Sequence, residues 1–215
     1  MNIINSSFAE ELALELLKID AVVLRPNEPF VWASGWNSPI YCDNRLTLTY
    51  PELRKKIANS IASHIIETHP EVDVITGTAT AGIPHTAWVS DILDKPMAYV
   101  RSKAKSYGMG NQIEGGVKKG QSTVIIEDLV STGGSVMSVV DVLEFVGANV
   151  DEVISIFTYG FDVSNNAFKE RELPFYTLTN FDILINVAQK HGFVDADEVQ
   201  LLNSWRKDPD TWPKK

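Results

Sequence analysis

Two adjacent acidic residues, Glu127 and Asp128, follow an apolar run and precede a segment rich in serine, threonine and glycine. The apolar run is typical of a buried strand, and in a parallel sheet it would place both carboxyl groups at the carboxyl edge, where ligands bind. The segment at 131–135 would then open a helix, whose first backbone N–H groups attract anions. Carboxylates beside an anion site favour a sugar that carries a phosphate. The alternative is a plain helix cap behind a solvated strand end.

A second group of residues with chemical potential lies between Arg101 and Gln121. This stretch holds one acidic residue, Glu114, against five basic ones, and five glycines: Arg101, Lys103, Lys105, Lys118 and Lys119, with Gly108, Gly110, Gly115, Gly116 and Gly120. Connections of this length are usually lids or binding loops. The composition predicts a long mobile loop that closes over phosphate groups. A solvated hairpin is the alternative.

The elements that must position these residues follow a regular alternation. Apolar runs predict strands over 72–76, 97–100, 124–127, 153–158 and 175–178, and segments with helical spacing separate most of them. This order indicates an α/β fold with a central parallel sheet flanked by helices. An N-terminal helix is predicted from a capping box at Ser7 and Glu10, and short strands and loops follow it up to Leu48. No linker is visible in the 215 residues, so we expect a single domain.

Composition limits the remaining classes of function. The net charge of −9 argues against a general nucleic-acid binder, although a local basic segment can still hold a small anion. The single cysteine, Cys42, excludes an internal disulfide and favours a reducing compartment. The longest apolar runs are far shorter than the ~20 residues that span a bilayer, and the N-terminus has no basic segment of the signal-peptide type. We therefore expect a cytoplasmic protein with neither a membrane nor a nucleic acid as partner.

The segment 127–135 resembles the phosphoribosyl-pyrophosphate (PRPP) signature of the type I phosphoribosyltransferases. Three further segments, 30–45, 77–84 and 99–115, make the chain similar to the orotate phosphoribosyltransferases in particular, over nearly its whole length. The resemblance implies a type I phosphoribosyltransferase-like sheet with a small N-terminal hood at about 1–48, a core at about 49–215 and a long mobile loop. It also implies transfer of the 5-phosphoribosyl group from PRPP to orotate, which gives orotidine 5'-phosphate and diphosphate in pyrimidine biosynthesis.

Residue roles follow from the same resemblance, position by position. The catalytic residues would be Lys105, Asp128 and Arg101. PRPP would be bound by Arg101, Lys105, Tyr107, Glu127, Asp128, Leu129, Val130, Ser131, Thr132, Gly133, Gly134 and Ser135. The pyrophosphate side would be lined by Thr78, Ala79, Thr80, Ala81 and Gly82. Orotate would be bound by Ser131, Phe30 and Tyr41.

The resemblance further implies Mg²⁺ as cofactor, held mainly by PRPP oxygens without a dedicated protein cage. It implies a homodimer in which Arg101 and Lys105 reach the active site of the neighbouring subunit. This sequence departs from the family at Tyr107, where many members carry histidine, and at Ser102, where many carry a basic residue. The tyrosine puts acid catalysis by the loop in doubt, because a phenol stays neutral and protonated at pH 7.

Two alternative functions share the signature. One is a phosphoribosyltransferase for another base, such as uracil or a purine, and the other is a non-catalytic regulator that senses PRPP. The acidic chain offers no spare segment for nucleic-acid binding, which disfavours the regulator. Among weaker candidates, Gly77 and Gly82 have P-loop spacing, but Ile83 and Pro84 replace its Lys-Ser/Thr pair. His85, next to this loop, is a candidate for a group that supports the site indirectly.

Overall fold

The computed structural model describes residues 1–31, 35, 37–102 and 112–212. The α-helices are α1 (Ser6–Lys18), α2 (Pro51–Thr68), α3 (Gly82–Leu93), α4 (Gly134–Phe145), α5 (Asp162–Glu170), α6 (Phe181–Lys190) and α7 (Ala196–Lys207), and Asn44–Thr49 form a 3₁₀ helix. The strands are β1 (Asn2–Ile3), β2 (Val22–Leu24), β3 (Phe30–Val31), β4 (Asn37–Ser38), β5 (Ile40–Cys42), β6 (Val74–Thr78), β7 (Met97–Val100), β8 (Ile113–Gly115), β9 (Ser122–Val130), β10 (Asn149–Thr158) and β11 (Phe175–Asn180).

The main sheet has the strand order β1-β11-β10-β9-β6-β7-β8 among the described residues. Every neighbouring pair is parallel except β7 and β8, which are antiparallel. The parallel arrangement confirms the fold class predicted from the alternation of strands and helices. It brings the carboxyl ends of β6, β7, β9 and β10 to one edge, where the candidate site residues follow them.

Helices cover both faces of this sheet because successive side chains of a strand point to opposite faces. In β9, Val124 and Ile126 join the larger core cluster with α1, α2, α3, α6 and α7, whereas Ile125 joins the smaller cluster with α4 and α5. All three are completely buried. A strand that is apolar on both faces is what the uninterrupted run before Glu127 predicts.

The predicted hood segment divides into two parts. Strands β2 and β5, and β3 and β4, form two small antiparallel pairs that are separate from the main sheet. In contrast, β1 pairs with β11 and α1 packs against α6 and β11, so the first elements of the chain belong to the core. The indole N–H of Trp205 in α7 donates to the carbonyl of Asn37, which fastens the hood to the last helix.

Two local predictions need correction. The first helix is capped by Asn5, whose side chain accepts from the backbone N–H of Phe8 at 3.0 Å, and Ser7 lies inside the helix. The predicted loop from Arg101 to Gln121 is interrupted by β8, because Ile113–Gly115 can pair with the edge strand β7. A three-residue strand among glycines carries too short an alternating pattern to be recognised from sequence. Residues 103–111 lie outside the described part of the chain.

Candidate active site

The acidic pair lies near the end of β9, where only one of the two neighbouring strands is still paired with it. Strand β6 pairs with β9 only as far as Ile126, whereas β10 stays paired with it through Val130. Glu127 is 5% exposed, and one of its carboxyl oxygens accepts the backbone N–H of Asp128 at 3.0 Å. Asp128 is half-buried. The strand therefore presents Asp128 to the carboxyl edge of the sheet while its neighbour is enclosed.

The two carboxyl groups share an environment in which burial raises the pKa of both. Burial raises the pKa of Glu127 well above its ordinary value, and the hydrogen bond and charge of Asp128 raise it further. Burial also raises the pKa of Asp128, but a hydrogen bond from Glu127, backbone N–H groups and the charge of Arg45 oppose that rise. The pKa of Glu127 therefore rises further than that of Asp128, and the Asp128 carboxylate can accept a hydrogen bond from a ligand hydroxyl.

The predicted phosphate segment forms the turn between β9 and α4. Gly133 precedes the helix with φ of 87°, a left-handed conformation that favours glycine, and no side chain caps the helix. The first N–H groups of α4 are therefore open to an anion, and Ser135 adds an exposed hydroxyl. The side chain of Val130 is buried in the core, and its carbonyl accepts the hydroxyl of Thr158 at 2.8 Å.

The predicted pyrophosphate-side loop joins β6 to α3. Its glycines are required by close packing: a Cβ at Gly82 would lie 2.6 Å from the carbonyl oxygen of Ile126, and one at Gly77 would lie 2.6 Å from the hydroxyl of Thr86. The backbone N–H of Ala79 donates to the carbonyl of Val100 at 3.0 Å, which fixes the loop to β7, and the peptide between Ala79 and Thr80 is cis. The start of α3 is thereby held against β9, directly beside the acidic pair.

Arg101 begins the basic segment at the end of β7. Its guanidinium pairs with Glu114 at 3.3 Å, and its backbone N–H and carbonyl bond to the backbone and side chain of Gln112. A cavity of about 90 Å³ is lined by Arg101 and Gln112, by Thr78 and Ala79 of the β6–α3 loop, and by residues of α4 that include Ser135. Three segments far apart in sequence therefore meet around one small cavity.

The predicted base-binding residues divide between the hood and the β9–α4 turn. The rings of Phe30 and Tyr41 lie 5.6 Å apart, and the guanidinium of Arg25 stacks 5.0 Å above Phe30. Tyr41 is 42% exposed, so its ring is available for contact with a planar ligand. Ser131 lies half-buried in the turn that follows β9.

Sequence reasoning missed Asn44 and Thr47, which connect the hood to the acidic pair. The side-chain amide of Asn44 donates to the carbonyl oxygen of Asp128 at 2.6 Å, and Thr47 lies 3.4 Å from the buried imidazole of His85. A hydrogen bond between residues 84 positions apart has no local signal in the sequence. His85 was a candidate for indirect support, and burial lowers its pKa to about 4, so it is neutral at pH 7.

Two predicted residues, Lys105 and Tyr107, lie outside the described part of the chain. Within the described ranges, no group of three or more His, Cys, Asp or Glu residues is arranged to hold a metal ion. None of the helices in those ranges has the length and apolar character that crossing a bilayer would need.

Comparison with known proteins agrees with this geometry. Residues 48–185 match the family model described as phosphoribosyl transferase domain. An orotate phosphoribosyltransferase of Listeria monocytogenes is 54% identical over 208 residues, which cover 97% of this chain and all of the relative. The chain belongs to the orotate phosphoribosyltransferase family. The resemblance inferred from segments 30–45, 77–84, 99–115 and 127–135 is confirmed.

Solved structures of orotate phosphoribosyltransferases and related proteins share the fold. The enzyme of Aeropyrum pernix has a TM-score of 0.72 and 25% identity, covering 86% of this chain and 99% of that one. The UMP synthase of Leishmania donovani has a TM-score of 0.77 and 26% identity over 92% of this chain. This chain spans 42% of that longer protein. The chain therefore shares the overall fold of solved orotate phosphoribosyltransferases.

Proposed function

We propose that this chain transfers the 5-phosphoribosyl group from PRPP to orotate and releases orotidine 5'-phosphate and diphosphate, as a step of pyrimidine biosynthesis. The observation that carries the proposal is the convergence of the β6–α3 loop, Arg101 and the start of α4 around one cavity at the carboxyl edge of the sheet. Membership of the orotate phosphoribosyltransferase family supports orotate as the base.

PRPP binds along this edge in the proposed complex. Its 5-phosphate lies on the open N-terminus of α4, where Ser131, Thr132, Gly133, Gly134 and Ser135 surround it. The ribose hydroxyls donate to the Asp128 carboxylate and contact Glu127. The diphosphate lies toward the loop at 78–82, within reach of Arg101.

The chemistry matches this distribution of charge. Breaking the bond between C1 of the ribose and the diphosphate oxygen builds positive charge on the sugar and negative charge on the leaving group. The Asp128 carboxylate stabilises the sugar, and Arg101 and Lys105 stabilise the diphosphate. To bind the diphosphate, the Arg101 guanidinium must give up its ion pair with Glu114. The side chains of Arg101 and Glu114 are both about one-third exposed, so breaking this ion pair costs little free energy. An anionic orotate is already a nucleophile, so the protein mainly orients the reactants.

The base site lies between the hood and the β9–α4 turn. Phe30 and Tyr41 offer ring faces to the planar base, and the hydroxyl of Ser131 offers a hydrogen bond from the side of the turn. Tyr107 offers a neutral O–H donor to PRPP, since a phenol at neutral pH cannot carry the positive charge of a histidine.

Mg²⁺ is the proposed cofactor. The donors that the chain places at the site are carboxylate oxygens, the hard ligands that Mg²⁺ prefers, and they stand beside a site for phosphate oxygens. Such an ion neutralises diphosphate charge when bound. Glu127 and Asp128 orient the ribose, and the diphosphate with its ion would lie next to that ribose.

The proposed assembly is a homodimer with active sites shared between subunits, in which Lys105 of one subunit acts on PRPP bound to the other. The family resemblance implies the same for Arg101, but Arg101 lines the cavity of its own chain, and we propose that it acts there. The proposed location is the cytoplasm, where a reducing environment suits the free thiol of Cys42. Both proposals extend the family resemblance and are tested by subunit mixing and by fractionation of cells.

The decisive assay follows the loss of orotate absorbance with PRPP and Mg²⁺, with separate reactions that lack PRPP or contain uracil or adenine instead of orotate. We expect absorbance loss only in the complete orotate reaction, with orotidine 5'-phosphate and diphosphate as products. Turnover of uracil or adenine without turnover of orotate would assign another base. Tight PRPP binding without turnover of any base would make the chain a sensor.

A further inference from the structure

The 3₁₀ helix of the hood holds Asn44 in a fixed position. Asp43 caps this helix through the backbone N–H of Arg45 at 3.1 Å, and its carboxylate also binds the guanidinium of Arg45 through two hydrogen bonds of 2.6 and 2.7 Å. The hydroxyl of Thr47 donates to the carbonyl oxygen of Asn44 at 2.6 Å. Asn44 is completely buried, which is unusual for an amide side chain unless its hydrogen bonds are satisfied.

The hydrogen bonds of the Asn44 side chain point toward the sugar site. Its Nδ2 donates to the carbonyl oxygen of Asp128 at 2.6 Å, and its Oδ1 accepts the thiol of Cys42 at 3.5 Å. Strand β6 no longer pairs with β9 beyond Ile126. Asn44 therefore supplies a hydrogen-bond donor to the main chain of Asp128, in the part of β9 that is no longer paired with β6.

The support behind Asn44 extends to α3. The hydroxyl of Thr47 donates its only proton to the carbonyl of Asn44. Toward the Nε2 of His85, 3.4 Å away, this hydroxyl can therefore act only as an acceptor. With Nε2 as the donor, the proton of the neutral His85 imidazole lies on Nε2. His85 itself is buried, with 1% of its surface exposed. Hood, α3 and β9 are thus joined through a connected series of polar groups that ends at Asp128.

We propose that Asn44 is a positioning residue for Asp128: by holding the main-chain carbonyl, it fixes the direction in which the Asp128 carboxylate faces the ribose. The inference rests on the proposed function, because the carboxylate matters only if a sugar reacts there. A carboxylate that stabilises developing charge must be oriented before the reaction, and small errors in its direction reduce the rate. Ground-state binding of PRPP depends mainly on the phosphate contacts, which Asn44 does not touch.

The test compares Asn44→Ala and Asn44→Leu with wild type at a temperature at which each protein is folded. The second variant keeps the branched shape of the side chain and removes its hydrogen-bonding atoms without adding a charge. We expect kcat to fall at least tenfold in both, with the KM of PRPP and of orotate changed less than threefold. Thr47→Val, which is close in shape to threonine, should lower kcat by a smaller factor in the same way, because Asn44 keeps its amide but loses its support.

Asn165→Ala is the matched control, because it removes another amide hydrogen bond to a main-chain carbonyl, that of Gly160 at 3.2 Å, after the neighbouring strand. We expect its kcat to stay within twofold of wild type even where its unfolding temperature falls. The inference is overturned if the Asn44 variants keep wild-type kcat, or if Asn165→Ala loses as much. Should wild type itself not convert orotate, the proposed function fails instead, so the two failures are separate.

Discussion

At the scale of single residues, Glu127 and Asp128 are adjacent in sequence but differ in environment. Glu127 is enclosed and burial raises its pKa well above the ordinary value, whereas Asp128 is half-buried at the carboxyl edge of the sheet. The difference arises because neighbouring side chains of a strand point to opposite faces. We therefore assign the electrostatic role in the reaction to Asp128.

Asp128→Asn should leave the fold intact and lower kcat by roughly 10²-fold or more, as for other preorganised polar contacts in active sites. Steady-state kinetics and circular dichroism of the purified variant check both statements. Glu67→Gln, an exposed acid of α2, serves as control and should match wild type. Unchanged turnover in a folded Asp128→Asn protein would remove Asp128 from the sugar site.

His85 predicts a pH dependence of stability. Its pKa is about 4 in the folded protein because burial disfavours the imidazolium, whereas the unfolded chain has the ordinary value near 6.5. Above pH 6.5 the group is neutral in both states and its contribution to stability is fully present. As the pH falls from about 6.5 to 4, the unfolded chain binds a proton that the folded protein does not. The free energy of unfolding therefore decreases by up to about 3 kcal/mol.

Urea unfolding of wild type and His85→Gln at a series of pH values between 4 and 7.5 measures this effect. The free energy of unfolding should fall more steeply toward acid pH in wild type than in the variant, since glutamine does not titrate. His191→Gln changes an exposed histidine and should keep the wild-type slope. Parallel curves for wild type and His85→Gln would show that His85 does not titrate with a lowered pKa.

At the scale of elements, the site depends on how closely α3 approaches β9. Gly82 allows this approach, because a Cβ there would lie 2.6 Å from a backbone oxygen that cannot move aside freely. Gly82→Ala should displace the start of α3 together with the loop at 78–82. We expect a loss of about 1–3 kcal/mol in unfolding free energy and a higher KM for PRPP.

Gly116→Ala is the matched control for Gly82→Ala, because a Cβ at Gly116 meets nothing within 4 Å. Thermal unfolding and PRPP kinetics of the two variants, side by side, separate the close approach from a general effect of replacing glycine. Equal behaviour of the two alanine variants would mean that the α3–β9 contact does not position the loop.

At the scale of the whole molecule, the proposed active site combines parts that lie far apart along the chain. In this proposal the hood contributes Phe30, Tyr41 and Asn44, the sheet contributes Asp128, and α4 contributes its N-terminus. In the proposed dimer, the basic segment of a second subunit completes this set. A net charge of −9 does not oppose the proposed binding of anions, because a local group of cations and a helix N-terminus can override the sign of the whole chain.

Mixing subunits tests the shared site. Lys105→Ala and Asp128→Asn proteins should each be nearly inactive, and mixed dimers should recover activity because one of their two sites combines an intact Asp128 with an intact Lys105. Activity is measured after subunit exchange, which mass spectrometry of differently tagged chains verifies. If exchange occurs and no activity returns, Lys105 acts on the site of its own subunit.

The local signals in the sequence were sufficient for the place of the acidic pair in a buried strand, for the glycine turn that opens a helix and for the alternation of strands and helices. Each of these depends on residues close together in the chain: an apolar strand, two acids, and glycines before a helix. The resemblance to the orotate phosphoribosyltransferases rests on such segments as well. Fold class and family were therefore predictable without the structure.

Only the tertiary structure decided what these segments meet. The Asn44–Asp128 hydrogen bond joins residues 84 positions apart, and the cavity beside Arg101 brings together residues of the β6–α3 loop, the β7–β8 region and α4. The edge strand β8 and the Asn5 cap also depend on pairing and backbone geometry that short patterns do not encode. Contacts of this kind form when distant segments pack, and the free energy of that packing belongs to the whole fold rather than to any one segment.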